Sequence, residues 1–202
     1  RYVVANGFEA DPGAQLDRVL MERDPHLVVE GVAIAAWAVG AEEAIITVSS
    51  AAPVAAERLR AAIEEAEEAG YIGRAADGRS LDIEVRELTG SFMVGEETVL
   101  LRALEGKRAQ PDQRPPYPSR AGLWGKPTVV NNVKTLAAVP WIVANGAGAH
   151  ASHGTAEAPG TTLVQLGGAV TRPGIAEVPF GARLDEILDG PGGGASRKLK
   201  AV

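Results

Sequence analysis

Ala44-Ile45-Ile46-Thr47-Val48-Ser49 is followed, after three residues, by a longer stretch from Pro53 to Ala69 with apolar residues at helical spacing. The first stretch is apolar and β-branched, which is typical of a buried strand. The second predicts a helix that carries its acidic run on a solvated face and ends at Gly70. A strand that leads directly into a helix is the building unit of α/β proteins, so this stretch decides the fold class.

The same alternation extends to both sides of this unit. Arg1 to Asn6 predicts a buried strand, and Asp24-Pro25 predicts the start of a helix that runs to about Val39, with Gly40 as its C-terminal cap. Leu81 to Leu88 alternates between apolar and charged residues and predicts a half-exposed strand, whereas Glu96 to Leu104 predicts a helix. The first hundred residues therefore predict an α/β fold, a sheet with flanking helices.

Composition excludes several classes of function. The chain of 202 residues has a net charge of −6, which disfavours nucleic acid as a partner, because phosphate binding requires a basic surface. It contains no cysteine, so it ligates no iron–sulfur cluster. The most apolar run, Val28 to Val39, is too short to span a bilayer and predicts no direct membrane insertion. Because the chain begins with Arg1 and an apolar strand, we expect it to be an internal piece of a longer protein.

Two adjacent carboxylates occur in Gly95-Glu96-Glu97-Thr98, at the predicted start of a helix. Acidic residues are favoured there by the helix dipole and by the unpaired N–H groups of the first turn. One interpretation is that both are ordinary first-turn acids. The other is that one is left for a ligand, since two exceed what capping needs. The two loops that follow strands, Asn6 to Asp11 and Gly90 to Glu97, lie where α/β sheets bind ligands.

Residues 102–126 form a basic, proline-rich loop. Six basic residues stand against two acidic ones, a local charge of +4 in a chain of −6. The basic residues are Arg102, Lys107, Arg108, Arg114, Arg120 and Lys126. A stiff cationic loop beside a carboxylate pair suits a ligand with phosphates at one end and hydroxyls at the other. Composition alone leaves open the alternative of a packed surface loop whose charges only solubilise it.

The last third of the chain has a different composition. Residues 146–160 are rich in Ala, Gly and small polar residues and predict a linker. A strand from Thr161 to Leu166, a turn, a strand from Ile175 to Val178 and a short helix from Arg183 to Leu188 follow, and Lys198 to Val202 predicts the start of another strand. This order predicts part of a small α+β module.

Common signature motifs are absent from the sequence. It contains neither GxGxxG nor GxxxxGK[ST], so it carries no dinucleotide-binding fingerprint of that kind and no P-loop. His150 and His153 are three residues apart, but their surroundings are rich in Gly and Ala with only Glu157 nearby, which disfavours a metal site.

Four motifs in order closely resemble one known family. They are Gly95-Glu96-Glu97-Thr98, Leu104-Glu105-Gly106-Lys107-Arg108, Arg114-Pro115-Pro116-Tyr117-Pro118 and Gly122-Leu123-Trp124-Gly125-Lys126-Pro127-Thr128-Val129-Val130-Asn131-Asn132-Val133. This combination resembles the flavin-bearing, NADH-oxidising 51 kDa (F) subunit of respiratory complex I and the related diaphorase subunit of NAD-linked hydrogenases and formate dehydrogenases. Asn6 to Gly13 resembles that family's nucleotide loop, and Thr171 to Gly174 the opening of its ubiquitin-like module.

The resemblance implies a fold and a domain organisation. Residues 1–145 would form a Rossmann-like FMN/NADH-binding α/β domain, residues 146–160 a linker, and residues 161–202 part of a ubiquitin-like (β-grasp) module. It also implies an NADH dehydrogenase flavoprotein in which NADH passes hydride to FMN, so that the flavin carries the chemistry. Electrons would leave through iron–sulfur clusters outside this chain toward quinone. The implied partners are other subunits of an oxidoreductase complex, including a thioredoxin-like iron–sulfur subunit, and the implied location is cytoplasmic, at the membrane periphery.

The resemblance also implies two sets of site residues. The flavin-contacting positions are Asn6, Glu9, Gly95, Glu96, Asn131, Asn132 and Thr135. The NADH-contacting positions are Glu97, Arg114, Tyr117 and Asp11, with an aromatic ring suited to stacking on a base.

Several residues depart from the family's pattern. Phe8 stands where an acid is usual, Ala10 where Ser is usual and Asp11 where Glu is usual, while Phe92 replaces a Tyr and Val94 a Cys. The family's glycine-rich flavin-phosphate loop precedes the position of residue 1, and its cluster cysteines follow that of residue 202, so we expect the isolated segment to be inactive. These departures motivate an alternative function, a structural or assembly module that keeps the fold without catalysis.

Overall fold

The computed structural model describes residues 1–74 and 80–202. These residues fall into two compact units, Arg1–Pro140 and Trp141–Val202. The first holds every residue that the sequence predicts for ligand binding, and it is built around one sheet.

The first unit contains a mostly parallel sheet. Its strands in chain order are β1 (Tyr2–Gly7), β2 (Glu43–Ser49), β3 (Gly73–Arg74), β4 (Ser80–Leu88) and β5 (Thr128–Asn132). Their order across the sheet is β3-β4-β2-β1-β5. Strands β4, β2, β1 and β5 are parallel, whereas the short β3 pairs antiparallel with β4. The carboxyl ends of β1 and β5 are therefore neighbours at one edge of the sheet.

Helices cover both faces of this sheet. In chain order they are α1 (Leu16–Arg23), α2 (Pro25–Val39), α3 (Pro53–Glu68), α4 (Glu97–Leu104), α5 (Pro118–Ala121) and α6 (Val133–Asn145), whose last residues belong to the second unit. Short 3₁₀ turns at Phe92–Gly95 and Leu123–Gly125 precede α4 and β5.

Successive residues of β1 point into two separate cores. Val3 belongs to the cluster that includes Leu59 of α3 and Leu136 of α6, whereas Val4 belongs to the cluster that includes Leu100 of α4. Alternation along a strand sends neighbouring side chains to opposite faces, so both faces of the sheet are covered. This arrangement confirms the predicted α/β fold class.

Local signals placed several element ends correctly. The Asp24 side chain accepts a hydrogen bond from the backbone N–H of Leu27 at 3.3 Å, as predicted for an N-cap. Gly40 ends α2 in the left-handed region, with φ 64° and ψ 43°. Within β4, Ile83 and Val85 are buried, whereas the alternating charged residues Asp82, Glu84 and Arg86 are exposed, which confirms a half-exposed strand.

The second unit is a small α+β arrangement. Helix α7 (Ala147–Ala151) is followed by an antiparallel pair, β6 (Thr161–Leu166) and β7 (Gly174–Pro179), and by α8 (Leu184–Asp189). The hairpin and α8 confirm the predicted elements, while α7 is a short helix inside the segment predicted as a linker.

The strand predicted at Lys198 to Val202 is wrong. These residues have no regular secondary structure. A strand exists only when its backbone groups pair with a neighbour, and the described ladder of this unit contains only β6 and β7.

Helices α2 and α6 pack so closely that only glycine fits at one contact. A Cβ placed on Gly31 would overlap the backbone carbonyl of Leu136. Helix α6 begins immediately after Asn132, so this contact also positions the start of α6 next to the predicted site residues Asn131 and Asn132.

We expect Gly31→Ala to lower the free energy of unfolding of the full-length protein by about 1–3 kcal/mol, as overpacking does. This loss opposes the gain of about 1 kcal/mol that alanine brings to a helix. Gly148→Ala in α7 is the matched control, because nothing lies within 4 Å of its added Cβ. Denaturant unfolding measures both variants, and equal effects of the two would contradict the close packing.

Candidate functional site

The carboxyl ends of β1 and β5 are tied together by two asparagines. Asn6 and Asn132 are register partners across the two strands. The Asn132 amide donates to the backbone carbonyl of Asn6 at 3.2 Å, and the Asn6 amide donates to the backbone carbonyl of Gly95 at 3.0 Å. Three segments distant in sequence, each with predicted flavin contacts, therefore meet at one edge of the sheet.

Gly95 lies against the loop that follows β1. A Cβ at this position would come within 3.1 Å of the Ala10 Cβ and 3.8 Å of the Phe8 carbonyl oxygen. The backbone of Gly95 consequently approaches that loop more closely than a larger residue would allow. This close approach brings the loops Asn6 to Asp11 and Gly90 to Glu97 together, as expected for loops at strand ends.

Glu9 caps a helix. Its carboxylate accepts the backbone N–H groups of Leu16 at 2.7 Å, Asp17 at 3.2 Å and Arg18 at 3.2 Å. These N–H groups of the first turn of α1 have no acceptor within the helix, and a carboxylate also suits the positive end of the helix dipole. Glu9, predicted as a flavin contact, therefore holds α1 onto the end of β1.

Asn131 and Thr135 keep their polar groups available. The Asn131 side chain makes no hydrogen bond with the part of the chain that the structure describes, and Thr135 is exposed in the first turn of α6. The Asn132 amide instead uses both N–H groups, on Asn6 and on Asp17, while its oxygen accepts from the Lys134 backbone at 2.8 Å. Of the two neighbouring asparagines, Asn131 is thus the better placed to donate to a ligand.

Asp17 is a buried acid that the sequence did not single out. It lies in the first turn of α1, is only 7% exposed, and accepts from the Asn132 amide at 2.7 Å. Burial raises the pKa of the Asp17 carboxyl, the Asn132 hydrogen bond and Lys134 oppose that rise, and Glu9 adds to it. A lone acid in a first turn normally indicates a solvated position, so the sequence alone held no signal of this burial.

Glu96 is the N-cap of α4. One carboxylate oxygen accepts the backbone N–H groups of Thr98 at 2.8 Å and Val99 at 3.0 Å, and also the Thr98 hydroxyl. The capping interpretation therefore holds for this oxygen of Glu96. The other oxygen lies 2.6 Å from the Arg114 guanidinium.

Arg114 bridges both members of the carboxylate pair. The same guanidinium nitrogen lies 2.6 Å from a Glu97 oxygen, and all three side chains are between one third and two fifths exposed. Partial desolvation raises the pKa of the Glu96 carboxyl, but hydrogen bonds from Thr98 and Val99 together with the Arg114 charge outweigh it, so that this pKa lies below its usual range. Glu96 is consequently held as a carboxylate.

The rest of the basic loop is only partly neutralised. Arg102 pairs with Asp112 at 2.7 Å and Lys107 with Glu105 at 2.6 Å. Arg108 forms no ion pair with residues in the described ranges. The loop therefore keeps positive charge that its own acids do not compensate.

The remaining predicted NADH contacts are Tyr117 and Asp11. Both side chains are exposed, Tyr117 by 56%. Neither is used by the core, so both stay accessible to a ligand.

Two of the departures from the family's pattern are core residues. Phe8 is 5% exposed and Val94 is 1% exposed, and both belong to the cluster on the α4 face of the sheet. Both also approach the position that a Cβ on Gly90 would occupy. These two substitutions therefore change the packing beneath the loops. Phe92, by contrast, is 65% exposed.

The exposed polar groups of the site are chemically suited to a flavin ring. Asn131 supplies an amide and Thr135 a hydroxyl, and both types of group can donate to and accept from the polar edge of such a ring. Within residues 1–74 and 80–202, no group of three or more His, Cys, Asp or Glu side chains is placed to hold a metal. The same described residues include no helix that is long and apolar enough to cross a membrane.

Comparisons with known proteins show that the chain is similar to a group of related oxidoreductase subunits. A family model described as the Nuo51 FMN-binding domain matches residues 1–141. The F subunit of the NADH-quinone oxidoreductase of Aquifex aeolicus (strain VF5) is 43% identical over 206 residues, which cover 100% of this chain and 48% of that protein. The HndC subunit of the NADP-reducing hydrogenase of Solidesulfovibrio fructosivorans is 42% identical, over 100% of this chain and 42% of that protein.

A solved structure shares the fold at a similar level. A chain of an NAD⁺-reducing [NiFe]-hydrogenase in the H₂-reduced state superposes with a TM-score of 0.91 and 35% identity, over 98% of this chain and 33% of that one. The present chain spans about half of the length of the Aquifex aeolicus relative and less of the hydrogenase chain.

We expect Glu96→Gln to destabilise the full-length protein by about 1 kcal/mol at pH 7, because the amide oxygen still accepts from the first-turn N–H groups but these hydrogen bonds are no longer assisted by charge. Glu97→Gln is the matched control, because Glu97 contacts Arg114 but caps no backbone group that the structure describes. Denaturant unfolding at a series of pH values measures both.

The pH dependence follows from the lowered pKa of Glu96. Its stabilising contribution is present above the unfolded-state pKa of 4.5 and is lost as the pH falls through the lower folded-state value. The difference between wild type and Glu96→Gln should therefore shrink below pH 4.5. A difference that persists unchanged in acid would contradict the charge-assisted cap.

Proposed function

The chain belongs to the family of the Nuo51 FMN-binding domain, and from that premise we propose that it forms the part of an NADH dehydrogenase flavoprotein on which NADH reduces FMN. Bound FMN would supply a ring that accepts hydride from the nicotinamide. The observation that carries the proposal is the convergence of Asn6, Gly95 and Asn132 at one sheet edge, beside the available polar groups of Asn131 and Thr135.

These residues would hold the flavin by its polar edge. Asn131 can both donate and accept, Thr135 adds a hydroxyl, and Asn132 adds only a carbonyl lone pair, since its N–H groups are used. Asn6 and Glu9 would act by keeping the loop after β1 in place. The domain assignment that goes with this proposal is residues 1–145 for FMN and NADH, with residues 161–202 as a ubiquitin-like module.

Glu97, Arg114 and Tyr117 would form the NADH side of the site. A carboxylate accepts hydrogen bonds from ribose hydroxyls or an amide, a guanidinium binds phosphate oxygens, and an exposed aromatic ring stacks on a base. Asp11, exposed on the loop after β1, adds a second carboxylate. Without a ligand the Arg114 guanidinium bridges the carboxylates of Glu96 and Glu97, and a bound nucleotide would compete with them for it.

The parent protein would pass electrons onward. We place the acceptors, iron–sulfur clusters, outside this chain, because it contains no cysteine. Partner subunits of an oxidoreductase complex, among them a thioredoxin-like iron–sulfur protein, and a position on the cytoplasmic side of a membrane complete this proposal.

A structural or assembly module without catalysis is the competing function. The departures at Phe8, Ala10, Asp11, Phe92 and Val94 motivate it. Phe8 and Val94 are buried in one apolar cluster, so neither supplies a polar group to the site, whereas Asn131 and Thr135 keep the polar groups that the enzyme needs.

We expect Glu97→Gln to raise the KM for NADH about tenfold in the full-length protein while FMN content stays unchanged. The amide oxygen of Gln still accepts, but its hydrogen bonds are neutral and about half as strong as those to a carboxylate, and a loss of about 1.4 kcal/mol corresponds to a factor of ten. Arg114→Ala should act in the same direction. Steady-state kinetics with an artificial electron acceptor, together with flavin content, measure both variants.

Arg58→Ala is the control for the change in charge. Arg58 is exposed on α3 and forms no ion pair with the residues described, so its loss should leave the KM unchanged. Unaltered NADH kinetics in Glu97→Gln would remove Glu97 from the site. A loss of flavin alone in Arg114→Ala would move Arg114 to the flavin side.

A further inference from the structure

Asp17 is a deeply buried acidic residue near the site, and nothing in the proposed function uses it. Only 7% of the residue is exposed, and its Oδ1 is buried without a hydrogen-bond partner among the described residues. A buried polar atom without a partner is costly, typically by about 1–3 kcal/mol. A surface helix would avoid this cost by turning the acid outward, so the buried position requires a reason.

The other carboxylate oxygen makes one short contact. Oδ2 of Asp17 accepts from the Asn132 amide at 2.7 Å, the shortest of the three hydrogen bonds that this amide makes with described residues. A donor–acceptor distance of 2.7 Å lies at the short end of the range for N–H···O hydrogen bonds. The contact joins residues 115 apart in sequence, the first turn of α1 and the end of β5.

This contact fixes which way the Asn132 amide faces. With its NH₂ group between Asp17 and the Asn6 carbonyl, its oxygen faces the Lys134 backbone N–H. The reversed amide would set its oxygen against two acceptors and its NH₂ against a donor, which is repulsive at all three contacts. Asp17 therefore favours a single orientation of the Asn132 side chain, which is the neighbour of Asn131 in the chain.

We propose that Asp17 is a positioning residue of the flavin site, which acts through Asn132 to hold the β5–α6 junction, and with it Asn131 and Thr135, in the geometry that binds FMN. This inference rests on the proposed function. It assigns Asp17 no contact with the flavin or with NADH. Glu9 and Lys134 lie near the carboxyl, but neither replaces the bond to Asn132.

The test is an FMN titration of the flavin-free full-length protein, followed by the quenching of flavin fluorescence. Asp17→Ala should weaken FMN binding about tenfold, because the Asn132 amide loses the contact that fixes its orientation and FMN binding must then restore the geometry of the β5–α6 junction. Asp17→Asn should remain within about twofold of wild type, because its amide oxygen can still accept from Asn132.

A double variant separates positioning from a direct contact. If Asp17 acts through Asn132, the double variant Asp17→Ala/Asn132→Ala should bind FMN no more weakly than Asn132→Ala alone. Additive losses would overturn the proposal, and so would Asp17→Ala that binds FMN like wild type. If Asp17→Ala does not fold, Asp17→Leu, which keeps the branched shape of the side chain, is compared with Asp17→Asn under the same expectations.

The same titration distinguishes the two proposals. A wild-type protein that fails to bind FMN overturns the proposed function and this inference together. A wild-type protein that binds FMN, with an Asp17→Ala variant that binds equally well but melts at a lower temperature, overturns only the inference, because Asp17 would then serve stability alone.

Discussion

The meeting of β1 and β5 at their carboxyl ends is the constraint on which the site depends. Parallel neighbours end on the same edge of a sheet, so the chain must satisfy the last backbone groups of both strands there. The Asn132 amide donates to the backbone carbonyl of Asn6, the Asn6 side-chain oxygen accepts the backbone N–H of Phe8, and the Asn6 amide extends the junction to Gly95. The polar groups proposed to meet the flavin are all presented from this junction or from the helix that follows it.

Charge compensation is the second organising feature. Glu9 and Glu96 each accept hydrogen bonds from backbone N–H groups at the start of a helix. The second oxygen of Glu96, which takes no part in capping, pairs with Arg114. Acidic residues at these two loops are thereby stable without a ligand. Glu97, Asp11 and the partly unpaired basic loop retain charge that a nucleotide could use, which divides the site into a flavin side and a nucleotide side.

Local features were predictable, and features that depend on packing were not. The caps at Asp24 and Gly40 and the carboxylate pair at the start of α4 follow from neighbouring residues. The Asn6–Asn132 contact spans 126 positions, and both residues were assigned to one site only through the resemblance to a known family. Neither the local sequence patterns nor the family resemblance identified Asp17, because its burial depends on how α1 packs against the end of β5. The failed strand at Lys198 to Val202 shows the same limit, since a strand also needs a partner.

The visible absorption spectrum of the purified full-length protein, recorded without oxygen before and after addition of NADH, shows whether NADH reduces a bound flavin. We expect a flavin band that bleaches when NADH is added, because hydride reaches a flavin held at the junction of β1 and β5. A colourless protein that stays colourless after incubation with FMN would contradict it, as would a bound flavin whose band NADH leaves unchanged.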